Sequence, residues 1–196
     1  MQRDRTANAE QLLHDVGWAM EHGLPARELI PMLKKLVAHA PEGSHASLFG
    51  MRELAKLMLP RDAWQAARLA RSVLRHGDDY EAWSVLGVAL SVLGHYRAAA
   101  HAHRAALAIE PGCPIAAHNL GHMLDAGLDQ PARAIHHLLR AHRARPHDEE
   151  IAGSYAHALA RVGRREEAVA VLGPHLPGGA READSRIDVW LAGRKK

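Results

Sequence analysis

The chain has 196 residues, 47% of them apolar, yet only 4 Trp, 3 Tyr and 1 Phe. That balance can fill a continuous core, and with Ala and Leu abundant it favours closely packed helices over a β-sandwich, where aromatic and β-branched residues are enriched. A formal charge of +3 comes from 25 basic and 22 acidic residues scattered without dense Lys/Arg runs, which gives no sign of a nucleic-acid partner. The single Cys113 excludes an intramolecular disulfide and a cysteine-based zinc site.

The opening stretch, MQRDRTANAEQLLHDVG, carries Asp and Glu and lacks the apolar run of a secretory signal. No segment is long and apolar enough to span a bilayer. The expectation is therefore a cytoplasmic chain without membrane insertion. Gly17 and Pro41 are separated by the same interval as Gly87 and Pro111 farther on. Residues 8–43 and 44–79 are read as two degenerate helical hairpins.

Asp78 followed by Glu81 has the form of a capping box and predicts a helix start near Tyr80. Trp83, Leu86, Leu90 and Leu93 then share one stripe of that helix. Gly94 stops it, and a second helix starts at His95 and Tyr96, with Ala99, Ala100, Ala106 and Leu107 keeping one face slim. Pro111 ends this second helix. The pattern returns as Leu120, Gly121, Leu124, Gly127, Ala134, Leu138, Ala141 and Pro146, with one extra residue assigned to the turn LDQP. It returns again as Tyr155, Leu159, Gly163, Ala168 and Leu172 after PHDEE. Residues 181–192, READSRIDVWLA, place Ile187, Trp190 and Leu191 on one side, as a terminal capping helix would.

Trp83, Leu86, Gly87, Leu90, Ala99, His103, Ala106 and Pro111 resemble the signature of the tetratricopeptide repeat family. Leu90 and His103 stand where that family usually carries an aromatic ring. The resemblance covers residues 80–148 most fully, then 149–182, and is weak over 8–43 and 44–79. It implies an all-α, right-handed α-solenoid of about five helical hairpins, in units of about 8–43, 44–79, 80–113, 114–148 and 149–182. A capping helix and basic tail would occupy 183–196.

In this family the first helices line a concave groove that holds peptides. The resemblance assigns to that groove Ser84, Val88 and Ser91, then His118, Asn119, His122 and Asp125, then His157 and Arg161. One subset of the family grips a chaperone's C-terminal carboxylate with Lys, Asn and Arg. The matching positions here are Ser84, Val88, Asn119, Glu150 and Ser154, of which only Asn119 agrees, so that ligand is not expected. His118 and His122 are an i, i+4 pair, and His157 and Asp125 are the residues that would complete a zinc site. With 16 histidines in the chain such pairs arise by chance, and neither metal nor cofactor is assigned. No phosphate-binding glycine loop, nucleophile elbow or dinucleotide fingerprint is present, so no enzyme activity is expected. The leading reading is an adaptor or scaffold that binds a peptide segment of another protein. The alternatives are a secretion-type chaperone of the same repeat family, and a histidine-based metal-binding or enzyme-accessory protein. The sequence fixes no oligomeric state.

Overall fold

The structure of the chain, a computed structural model, describes residues 2–193, with side chains from residue 8 onward. Among the described residues there are eleven α-helices and no strand. They are α1 (Gln2–Glu21), α2 (Ala26–His39), α3 (His45–Met58), α4 (Ala63–Leu74), α5 (Tyr80–Val92), α6 (Tyr96–Ile109), α7 (Pro114–His122), α8 (Pro131–Ala144), α9 (Glu149–Arg161), α10 (Arg165–Leu172) and α11 (Gly179–Ala192). A π-helical turn, Met123–Gly127, continues α7, and a 3-10 turn, Gly173–His175, follows α10.

The helices fall into two compact units, α1 to α5 ending at His95 and α6 to α11 beginning at Tyr96. Short connections within each unit fold each helix back along its predecessor. Within each unit every helix packs on the one before it, and the first helices of successive hairpins also touch: α1 with α3, α3 with α5, α7 with α9 and α9 with α11. In the first unit this second contact carries charge. Arg52 Nη1 lies 3.0 Å from Asp79 Oδ2, and Lys56 Nζ lies 2.6 Å from Glu81 Oε1, joining α3 to the start of α5.

Side-chain caps set the helix starts by accepting backbone N–H groups that no carbonyl within the helix can reach. Ser44, Asp62, Asp79 and Asp148 each accept from the residue three positions on. The cap of α5 is thus Asp79, one residue later than the Asp78 expected from the capping-box spacing. Asp78 instead accepts the Trp83 indole N–H at 3.0 Å. Cys113, in the turn PGCP, caps α7 through its sulfur, 3.5 Å from Ala116 N.

The core is leucine and alanine at helical spacing. In the second unit Leu120, Leu138, Ile151, Leu159 and Ile187 are fully buried, and Ala134, Ala141, Ala152, Ala156 and Ala168 hold adjacent helices close. Gly121 marks the tightest approach: a Cβ there would lie 2.6 Å from Leu138 Cγ and 3.3 Å from Ala134 O. Gly121→Ala is therefore expected to destabilise the fold by about 1–3 kcal/mol through overpacking. An unchanged thermal midpoint would show that α7 and α8 separate without cost.

The extra residue between Pro111 and Pro146 lies inside a helix, which corrects its assignment to the turn. From the cap to the residue of positive φ there are 15 positions in two hairpins, Asp79 to Gly94 and Asp148 to Gly163, and 16 from Cys113 to Asp129. In all three the next helix begins two residues later. The π turn absorbs the difference, with Leu128 N donating to Met123 O, five residues back, at 3.0 Å. Asp129, at φ +56, adopts the left-handed conformation that glycine takes in the sister turns, one that Asp tolerates better than most residues.

The capping helix is present as α11. It buries Ala183 and Ile187, leaves Trp190 and Leu191 half-buried, and is tied to α10 where Arg165 meets Asp184 and Asp188, each at 2.7 Å. The last residues of the basic tail, 194–196, lie outside the described residues.

Candidate functional site

The candidate groove residues of the first unit lie together on α5. Ser84, Val88 and Ser91 are all half-buried, and Ser91 Oγ donates to Val88 O at 2.8 Å.

The second unit gathers the rest on α7, its π turn and α9. Asp125 sits on the π turn and is 2% exposed. Its carboxylate accepts from His157 Nδ1 at 2.5 Å and pairs with Arg161 Nη1. Arg161, whose side chain is 6% exposed, also donates to the Asp125 carbonyl at 2.6 Å and reaches the exposed Asp129 with its other amino group. About two turns earlier, on α7, His118 is buried and shares a hydrogen bond with Ser154 Oγ of α9 at 3.0 Å. Six polar side chains thus link the two helices. An Asp–His bond fixes the tautomer of His157, so that Nε2 is the ring nitrogen left to face outward. The edge of the Trp190 ring meets His157, with centroids 5.3 Å apart.

Of the candidates, His122 is exposed and Asn119 and His157 are half-buried, while His118, Asp125 and Arg161 are engaged between helices. The histidines do not converge: His118 and His122 rings are 6.0 Å apart and tilted, and His157 turns to Asp125. Among the described residues no group of three or more His, Cys, Asp or Glu is placed to hold a metal ion. Of the clamp positions, Ser154 bonds His118 and Glu150 is exposed.

His103, at the repeat position usually aromatic, is 2% exposed, and its Nδ1 has no hydrogen-bond partner. Burial, followed by repulsion from His118 and His122, lowers its pKa to about 4. Burial also lowers the pKa of His118, against an opposing pull from Glu150. Three imidazoles therefore sit near one another at the α6–α7 contact, and two of them are held neutral by their surroundings.

Sequence reasoning did not find the roles of Asp129 and Trp190. Asp129 lies in a stretch read only as a turn, and Trp190 was assigned to the capping face alone. The i, i+4 relation of His157 and Arg161 was the available signal, since it puts both on one side of α9.

No protein-family model matches the chain, and no curated protein does. Solved structures do resemble it. A crystal structure of MamA is 20% identical over 82% of this chain and 90% of its own, with a TM-score of 0.67. A second MamA crystal structure is 18% identical over 97% of each chain, with a TM-score of 0.71. MamA from residue 41 onward, from Desulfovibrio magneticus RS-1, is 16% identical over 96% of this chain and 97% of its own, with a TM-score of 0.71. At such identities the likeness is one of fold, and the fold is an all-α solenoid of helical hairpins.

Proposed function

We propose that the chain is a protein–protein interaction module, an adaptor or scaffold that holds a peptide segment of a partner against the first helices of its hairpins. The observation that carries this reading is the bracing of α7 against α9 by the His118–Ser154 and Asp125–His157–Arg161 contacts. It leaves Asn119, His122 and the outer edge of His157 on a surface already fixed, so a ligand meets little ordering cost in the host. The solved structures of MamA share this fold. No cofactor, metal or catalytic group enters the reading. A cytoplasmic setting accords with the lone cysteine, and no helix among the described residues is long and apolar enough to cross a membrane.

The test is to identify by mass spectrometry the protein recovered with the tagged chain. That partner is then titrated calorimetrically against the native chain and against Asn119→Ala/His122→Ala. The expected result is about a tenfold or greater loss of affinity in the double variant, with its helical circular dichroism and melting curve unchanged. Equal affinities would remove these residues from the binding surface.

A further inference from the structure

Helices α6 and α8 together contain no acidic residue. Their charged side chains are Arg97 and Arg104 on α6, and Arg133, Arg140 and Arg143 on α8. Arg97 and Arg104 are seven residues apart, as are Arg133 and Arg140, so each pair stands about 10.5 Å apart along one face of its helix. All but Arg140 are exposed, and Arg140 is half-buried. Both helices pack against α7. The His137 pKa is lowered first by burial and then by His136, Arg140, Arg104 and Arg133, cations contributed by both helices. The Arg140 Nη2 and His137 Nδ1 atoms are buried without a hydrogen-bond partner.

Five other arginines of this unit differ. Arg145, Arg164, Arg165 and Arg186 each meet a carboxylate of α10, α11 or the turn before α9, and Arg161 meets Asp125 on the π turn. Among the described residues no carboxylate pairs with Arg97, Arg104, Arg140 or Arg143, and Arg133 donates only to the neutral Gln130 side chain. Unpaired guanidiniums on two helices that pack on the same neighbour, α7, repel one another and gain when carboxylates are supplied.

We propose that the face shared by α6 and α8 docks an acidic helical segment of another protein, separately from the surface of α7 and α9. Carboxylates two turns apart on one side of a partner helix match the arginine spacing, and Ala98, Ala105 and Ala108 beside the arginines leave room for close approach. A phosphate backbone fits less well, because the basic face is only about 21 Å long and carries the exposed Glu110, Glu149 and Glu150 near its ends. The acidic row on α10 and α11 of a second copy is not free, since Glu167, Glu182, Asp184 and Asp188 already face Arg164, Arg165 and Arg186.

The test uses the full chain and fluorescence anisotropy. The probe is a labelled helical peptide of about three heptads with Glu at the first and fourth positions of each, beside the same peptide with Gln and a single-stranded DNA. The Glu peptide is expected to bind, to weaken as salt is raised, and to lose about tenfold or more in affinity on Arg104→Glu/Arg140→Glu. Arg97→Glu/Arg104→Glu, both at exposed positions, gives the same loss if Arg140 also serves the fold. Asn119→Ala/His122→Ala leaves the affinity as it was. The proposal is overturned if Glu and Gln peptides bind alike, if both arginine variants bind as the native chain does, or if Asn119→Ala/His122→Ala abolishes binding. Tighter binding of the DNA than of the Glu peptide would assign the face to nucleic acid and overturn it too.

Discussion

Replacing Asp125 with Ala is expected to destabilise the fold by about 3 kcal/mol, near the lower end of what removing one member of a buried ion pair costs. The carboxylate is 2% exposed and serves His157 and Arg161 at once. Without it the Arg161 guanidinium, itself hardly exposed, keeps only the Asp125 carbonyl and the solvated Asp129. In a chain of this size the melting temperature should fall by roughly 6–12 °C. Asp129→Asn should cost less than about 1 kcal/mol, because that carboxylate is largely in water, its pairing is screened, and Asn holds the left-handed conformation as Asp does. Asp125→Leu/Arg161→Met should recover most of the loss, since removing both charges leaves neither one buried alone. Denaturant melts of the four proteins decide the matter. If Asp125→Ala costs no more than Asp129→Asn, the contact is not what braces α7 against α9.

The same site shows what the sequence can and cannot reveal. Periodicity located the stripes of α5 to α10, and Gly94 and Gly163 marked their turns, because these features act locally and repeat. Periodicity also put Asp125 on α7's side of the unit and His157 and Arg161 on α9. It could not say that they meet, since that depends on the crossing of two helices 32 to 36 residues apart in the chain. The π turn was hidden for a related reason. A spacing of 35 residues shows that one residue was added, and the turn took the blame because Asp129, not glycine, holds the left-handed position. Likewise Asp78 and Asp79 are indistinguishable in composition, and only the backbone geometry selects Asp79 as the cap. The unpaired arginines of α6 and α8 are present in the sequence, but their significance rests on knowing which arginines elsewhere already have carboxylates.

The second large effect concerns His103. Corresponding positions of the next two hairpins hold Leu138 and Leu172, both buried, so His103→Leu puts into this hairpin the side chain its sisters already use. Above about pH 6.5 the imidazole is neutral whether the chain is folded or not. Below it, the unfolded chain binds a proton that the native chain refuses until about pH 4. Stability from this group is therefore complete above pH 6.5, declines as pH falls toward 4, and levels off below that. The decline is on the order of 3 kcal/mol for the shift seen, and His118, His137 and His142, all with lowered pKa values, add to it in the same direction. His103→Leu should raise stability at pH 7 by about 1–2 kcal/mol, because it removes a buried nitrogen without a hydrogen-bond partner. It should also flatten the fall in melting temperature between pH 7 and about pH 4.5. Melting curves across that range for both proteins are the measurement. A variant whose stability falls as steeply as the native chain's would place the acid sensitivity elsewhere, and one less stable at pH 7 would mean that the imidazole makes a contact worth more than its desolvation costs.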